Sequence, residues 1–164
     1  MINIIAAIGE NNELGKSNNL IWHIPKDLKY FSEKTKGSVI VMGRNTFNSL
    51  PKILPNRKHI VLSKTGGFNK ETNENVLVID DKEKLIGLCK ELSANNEIFI
   101  IGGASLYKMF MEIADKLYIT HIEEKDDDAD VYFPEISSNV WNREVIANDE
   151  DNNIKFSFVE YNRI

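Results

Sequence analysis

Trp22-His23-Ile24-Pro25-Lys26-Asp27-Leu28-Lys29-Tyr30-Phe31 sets one carboxylate among large apolar groups at the start of a helix. Pro25 suits the first helical position, where its fixed φ fits and its missing N–H is not missed. Asp27 then falls in the first turn, with Leu28 and Phe31 at i, i+3 and Asp27 and Phe31 at i, i+4, so all three can border one pocket edge. Two readings of Asp27 predict opposite pKa shifts. A helix-start acid in solvent is held down by the macrodipole, whereas a carboxyl in a dry pocket is pushed up. The second kind can exchange a proton near neutral pH, or grip a cationic nitrogen heterocycle through two parallel hydrogen bonds.

Around this stretch the chain alternates apolar strands and helices. Met1 to Ile8 and Val39-Ile40-Val41-Met42 read as buried strands, as do His59-Ile60-Val61-Leu62, Val76-Leu77-Val78-Ile79 and Ile98-Phe99-Ile100-Ile101. Helices are expected from Pro25 to Thr35, from Gly43-Arg44-Asn45-Thr46, over Lys82 to Leu92 and after Gly102-Gly103. Residues 9 to 24, rich in Gly, Asn and charge, read as a long loop that closes over something through Leu20, Ile21 and Trp22. Leu117 to Ile122 alternates as a strand. Val140 to Ile146 and Ile154 to Tyr161 read as a closing hairpin, with polar Asn148 to Asn153 as its long loop.

Composition narrows the function classes. At 164 residues and 42% hydrophobic content, one domain spanning residues 1–164 is expected. A net charge of −5 argues against nucleic acid or an acidic membrane surface, so an anionic ligand must meet placed Arg or Lys. The N-terminus lacks a basic n-region and is too short to span a bilayer, so a cytoplasmic location is expected. Cys89 lies on the Leu85, Leu88, Leu92 stripe and reads as core. His23, His59 and His121 lack paired ligand spacing, so no metal site is expected. Asp126-Asp127-Asp128-Ala129-Asp130 has Val131 where a calcium loop needs Gly, and reads as solvated loop.

Two strand-to-helix junctions are suited to phosphate. Gly43-Arg44 and Gly102-Gly103-Ala104-Ser105-Leu106 each place backbone N–H groups at a helix start, although an ordinary turn would look the same and G-x-G-x-x-G is absent. Ser63-Lys64 ends a strand at the usual ligand edge of an α/β sheet. Arg57 reads either as a surface cation or as a bidentate partner for a carboxylate.

In this order and spacing, Ile5-Ala6-Ala7, Leu20, Trp22, Pro25, Asp27-Leu28, Phe31, Met42-Gly43-Arg44, Thr46, Leu54-Pro55, Arg57-Lys58, Ile101-Gly102-Gly103, Tyr107, Leu117-Tyr118, Thr120-His121-Ile122, Asp130 and Phe133-Pro134 resemble the bacterial dihydrofolate reductases. The resemblance implies an α/β fold with a central eight-stranded, mostly parallel sheet, a C-terminal antiparallel strand and four flanking helices. It implies NADPH-dependent reduction of dihydrofolate by a monomer, with hydride transfer from nicotinamide C4 to pterin C6 and protonation at N5.

By the same resemblance the catalytic set is Asp27, Trp22, Leu20, Thr120 and Tyr107. Ile5, Ala7, Leu28, Phe31, Leu50 and Leu54 would line the substrate side, and Arg57 would meet a carboxylate tail. Ala7, Leu14, Gly15, Leu20, Thr46 and Tyr107 would face the nicotinamide half, with Gly43, Leu62 and Ile101 beside them. Gly102, Gly103, Ala104, Ser105 and Leu106 would form the pyrophosphate turn, with the Gly102–Gly103 peptide cis. Arg44, Ser63 and Lys64 would meet a 2′-phosphate, two cations favouring NADP over NAD. A riboflavin-pathway reductase shares this fold and NADPH, and a silent NADPH-binding module is a third reading. Asp27-Leu28 with Phe31, Arg57 and Thr120 argues for a pterin. Ile21 and Ile53 depart from prolines frequent in the family.

Overall fold

The structure, a computed structural model, describes residues 1–16 and 19–164. In chain order the elements are β1 (Ile2–Ile8), β2 (Glu13–Lys16), β3 (Asn19–Leu20), α1 (Pro25–Thr35), β4 (Val39–Gly43), α2 (Arg44–Ser49), β5 (Lys58–Leu62) and β6 (Val76–Ile79). They continue with α3 (Lys82–Leu92), β7 (Ile98–Gly102), α4 (Ala104–Phe110), β8 (Lys116–Ile122), β9 (Val131–Tyr132), β10 (Trp141–Asp151) and β11 (Ile154–Arg163). Eight strands form one sheet in the order β10-β11-β8-β1-β7-β4-β5-β6. Every pairing from β8 to β6 is parallel, and β11 runs antiparallel to both of its neighbours. This is the eight-stranded, mostly parallel α/β sheet with four flanking helices that the resemblance implies.

The apolar runs are continuous because the central strands are covered on both faces. Period-2 alternation divides their side chains between two cores. Ile4 and Ile8 of β1 join Val41, Ile100 and Leu117 beneath α3 and α4, where Leu85, Cys89 and Phe110 fill the gap. Ile5 points the other way, to Ile40, Met42, Val61 and Phe99 beneath Phe47 of α2, with Tyr30 and Phe31 of α1 packed against them. Cys89 is fully buried and burial pushes its thiol up to about 12, which leaves it an inert core residue.

Two expectations need correction. Residues 9 to 24 are not all loop: β2 pairs with β3 and, across the fold, with β9 in a second, three-stranded sheet. Residues 17 and 18 of that stretch lie outside the described residues. The strands are short and β9 lies over a hundred residues from β2, so no local periodicity announces them. The hairpin has no long loop either, since β10 and β11 pair as far as Asp151 and Ile154. The turn is Asn152-Asn153, both at positive φ. Asn tolerates that region, so two residues give a primed turn without glycine and the polar run continues as strand.

Among the described residues, no helix is long and apolar enough to cross a membrane, and no cluster of His, Cys, Asp or Glu is placed to hold a metal ion.

Candidate functional site

Asp27 is positioned by the start of α1. Ile24 at the N-cap is buried against Ile122 and Phe156, and its carbonyl accepts the N–H groups of Asp27 at 2.9 Å and Leu28 at 3.1 Å. Ile24 offers no side-chain cap; the Lys26 N–H instead donates to Asp151 Oδ2, at 2.9 Å, from the end of β10. The Asp27 side chain is half-buried rather than free in solvent, and its Oδ1 accepts a 2.6 Å hydrogen bond from Thr120 Oγ1 of β8. Burial raises the Asp27 pKa above the ordinary carboxylate value, the Thr120 hydrogen bond pulls it back, and burial prevails.

Three strand ends converge beside this acid. Tyr107 of α4 is buried and donates from its hydroxyl to the Ile5 carbonyl at 2.9 Å. Burial, with the Asp27 charge second, raises its phenol pKa, so it stays a neutral donor. Ala7 sits opposite Thr120 in the β1–β8 register. The Gly102–Gly103 peptide is cis, and Gly102 has φ +137°. A Cβ on Gly102 would stand 3.0 Å from Thr46 Oγ1 and 3.6 Å from the Tyr107 hydroxyl, so β7 approaches α2 as only glycine allows.

From this junction a cavity of about 1030 Å³ runs along the C-terminal ends of β4, β5 and β7. It takes in Gly43, Arg44 and Thr46 at the β4–α2 junction, Leu62, Ser63 and Lys64 after β5, and Ile101 to Tyr107 from β7 into α4. Leu14, Gly15, Leu20 and Trp22 line its other wall, although Leu20 is 73% exposed and covers it only partly. Every residue predicted for the cofactor except Ala7 thus lines one cavity. Its charged lining consists of Arg44 and Lys64, with no carboxylate among the described lining residues, in a chain of net charge −5. Arg44 Nη1 donates to Thr65 Oγ1 at 3.2 Å, and Ser63 Oγ donates to the Gly66 carbonyl at 3.0 Å. Both α2 and α4 start on a glycine without a side-chain cap, leaving first-turn N–H groups open to an anion.

The predicted substrate-side residues do not line this cavity. Ile5, Phe31, Leu50 and Leu54 share the apolar cluster under α2, while Leu28 is 47% exposed on α1. Arg57 is no loose surface cation, being 7% exposed. Its Nε donates to Thr35 Oγ1 (2.9 Å), Nη1 to the Pro55 carbonyl (2.6 Å), and Nη2 to the Ser32 carbonyl (2.7 Å) and Oγ (3.0 Å). Among the described residues no carboxylate pairs with it, and burial lowers its pKa.

Sequence reasoning missed some residues. His23, Asn45, Ser49, Thr65 and Val131 also line the cavity. Thr65 adjoins Ser63-Lys64 and could have been included, whereas Val131 arrives only through β9. Glu13 is 1% exposed; its Oε1 accepts the Asn11 N–H and its Oε2 the Asp126 N–H, both at 2.7 Å, which ties the base of β2 to the acidic loop. No sequence signal marked it.

The family model described as "Dihydrofolate reductase" matches residues 1–163. The dihydrofolate reductase of Bacillus subtilis (strain 168) is 37% identical over 166 residues, covering 99% of this chain and 95% of that protein. The dihydrofolate reductase of Buchnera aphidicola subsp. Baizongia pistaciae is 41% identical over 140 residues, 85% of this chain and 81% of that protein. A solved dihydrofolate reductase from Enterococcus faecalis, complexed with NADP(H) and RAB-propyl, superposes with a TM-score of 0.84 at 34% identity, covering 99% of this chain and 96% of that one.

Proposed function

The chain belongs to the dihydrofolate reductase family, and from that premise we propose that it reduces 7,8-dihydrofolate to 5,6,7,8-tetrahydrofolate with NADPH, acting as one domain over residues 1–164 and as a cytoplasmic monomer. The observation that carries this reading is the adjacency of two unlike environments. A half-buried carboxyl with a raised pKa, Asp27, stands next to a long cavity whose charged lining is Arg44 and Lys64.

The residues fit the cofactor. Arg44, Ser63 and Lys64 would hold a 2′-phosphate, and the open N-termini of α2 and α4, with the close Gly102–Thr46 approach, suit a pyrophosphate. Bound there, NADPH supplies a hydride from nicotinamide C4 to pterin C6. Asp27 grips the pterin amino group and N3 through parallel hydrogen bonds and raises the basicity of N5, which takes its proton by way of water. Thr120 fixes the carboxylate through Oγ1. Tyr107, neutral and tied to the Ile5 carbonyl, would line the end of the cavity nearest Asp27. Leu20 and Trp22 line the outer wall and shield the site only in part, Leu20 being largely exposed. Arg57 meets the substrate's tail carboxylate; a bidentate grip uses the second Nη1 hydrogen and displaces the hydroxyl of Ser32, its weakest acceptor.

The test is the fall in NADPH absorbance with dihydrofolate, with NADH run in parallel. Rapid oxidation that requires dihydrofolate and prefers NADPH is expected. NADPH binding without turnover would favour the riboflavin-type substrate or a silent module. Asp27→Asn is expected to keep NADPH affinity and lose most turnover at pH 7; unchanged turnover removes Asp27 from the mechanism.

A further inference from the structure

We propose that His59 is a positioning residue for the substrate side: its Nε2 lone pair anchors the Leu54 N–H, and through it the wall and guanidinium that the substrate's tail-bearing half meets. The inference rests on the substrate assignment above.

The segment from Leu50 to Arg57 contains no helix or strand, and Pro51 and Pro55 have no N–H to give. Among the described residues, the one backbone N–H of residues 51–56 with a protein acceptor is that of Leu54, which donates to His59 Nε2 at 3.1 Å. His59 is fully buried on β5 and, two residues from Val61, shares that residue's sheet face; Leu50 and Leu54 pack against the Val61 cluster there. Phe47 of α2 presents its ring edge-on to the imidazole at 6.5 Å. The anchor continues outward, since the next carbonyl, that of Pro55, accepts from Arg57 Nη1 at 2.6 Å.

A donor at Nε2 requires a lone pair there, so the ring is neutral with its proton on Nδ1. Burial favours the neutral ring, as do the charges of Arg57 and Lys70; the backbone at Arg57 and Asn75 pulls towards the imidazolium, and burial prevails. Nδ1 has no partner within hydrogen-bond geometry among the described residues, so the ring's one well-formed hydrogen bond there is the one that holds Leu54. Without that acceptor the part-buried Leu54 N–H is left unpaired, and the segment shifts to reach another. A displaced wall touches a part of the substrate remote from the reacting atoms, which weakens ground and transition states alike.

The experiment compares the parent with His59→Leu, which lacks the acceptor, and His59→Gln, whose Oε1 reaches as far as Nε2. His59→Leu is expected to raise the dihydrofolate KM about fivefold, the worth of one neutral hydrogen bond, with kcat and the NADPH KM unchanged. His59→Gln restores the parental KM. In the parent, imidazole ¹⁵N shifts should report an unprotonated Nε2 and a protonated Nδ1, with slow exchange of the Leu54 amide; this measurement decides the anchor if His59→Leu fails to fold. An unchanged KM in His59→Leu, a Gln variant as impaired as Leu, or a fast-exchanging Leu54 amide overturns the proposal. Absent anchor signals with intact turnover refute the anchor alone. A parent that shows them yet leaves dihydrofolate untouched refutes the functional reading, and this inference with it.

Discussion

Replacing Thr120 by valine keeps the shape of a side chain that is 2% exposed and removes the 2.6 Å hydrogen bond to Asp27 Oδ1. That bond favours the ionised carboxyl, opposing the burial that raises its pKa. A hydrogen bond to a charged group contributes ~1.5–3 kcal/mol, and one pH unit corresponds to ~1.4 kcal/mol. Because Asp27 is only half-buried, water can take up part of the lost bond, so the low end applies and the expected rise is about one unit. A ¹³C titration of the Asp27 carboxyl should show it directly, and the corresponding ionisation in the pH–rate profile should move with it. Stability supplies an independent sign. With its folded pKa above the unfolded value, Asp27 contributes less to stability as pH climbs from the unfolded carboxyl range through the folded value. Thr120→Val strengthens this trend, so its deficit in urea should be largest above the folded pKa and vanish below it. An Asp27 pKa that stays or falls in Thr120→Val would refute the reasoning.

Arg57→Leu should raise the dihydrofolate KM and also lower the thermal midpoint, because four hydrogen bonds to Thr35, Pro55 and Ser32 go with the guanidinium; an unchanged midpoint would contradict the structural part. Gly9→Ala places a Cβ 2.5 Å from the Trp22 ring and 2.9 Å from the Glu124 carbonyl, and should cost about 1–3 kcal/mol of stability in urea denaturation, with no loss excluding the tight approach. Arg44→Ala combined with Lys64→Ala should reduce the preference for NADPH over NADH, read as the ratio of kcat/KM values, chiefly through the NADPH KM. A preserved ratio would remove both residues from the phosphate site.

Leu20, predicted to cover the site, lines the cavity but is largely exposed, because its strand is two residues long and, among the described residues, pairs with β2 alone. Arg57 reads from sequence either as a surface cation or as a carboxylate partner, and its burial under Thr35 and Ser32 was invisible, because those residues lie a helix away in sequence. Glu13 carried no signal, since a lone acid in a polar run becomes structural only when Asn11 and Asp126 present their N–H groups to it. His59 read as one more strand residue, and its anchoring role appeared only with the path of the Leu50 to Arg57 segment.

The sequence by itself determined the central parallel strands and the helices of the main sheet, and the placement of Asp27 in a first helical turn. Those features follow from periodicity, proline and glycine, whose effects reach a few residues along the chain. Only the tertiary structure decided that Thr120 meets Asp27 from 93 residues away, that one cavity gathers the ends of β4, β5 and β7, and that β2 finds β9. The pKa of Asp27 belongs to that second set, because it is set by what the fold brings against the carboxyl rather than by its neighbours in sequence.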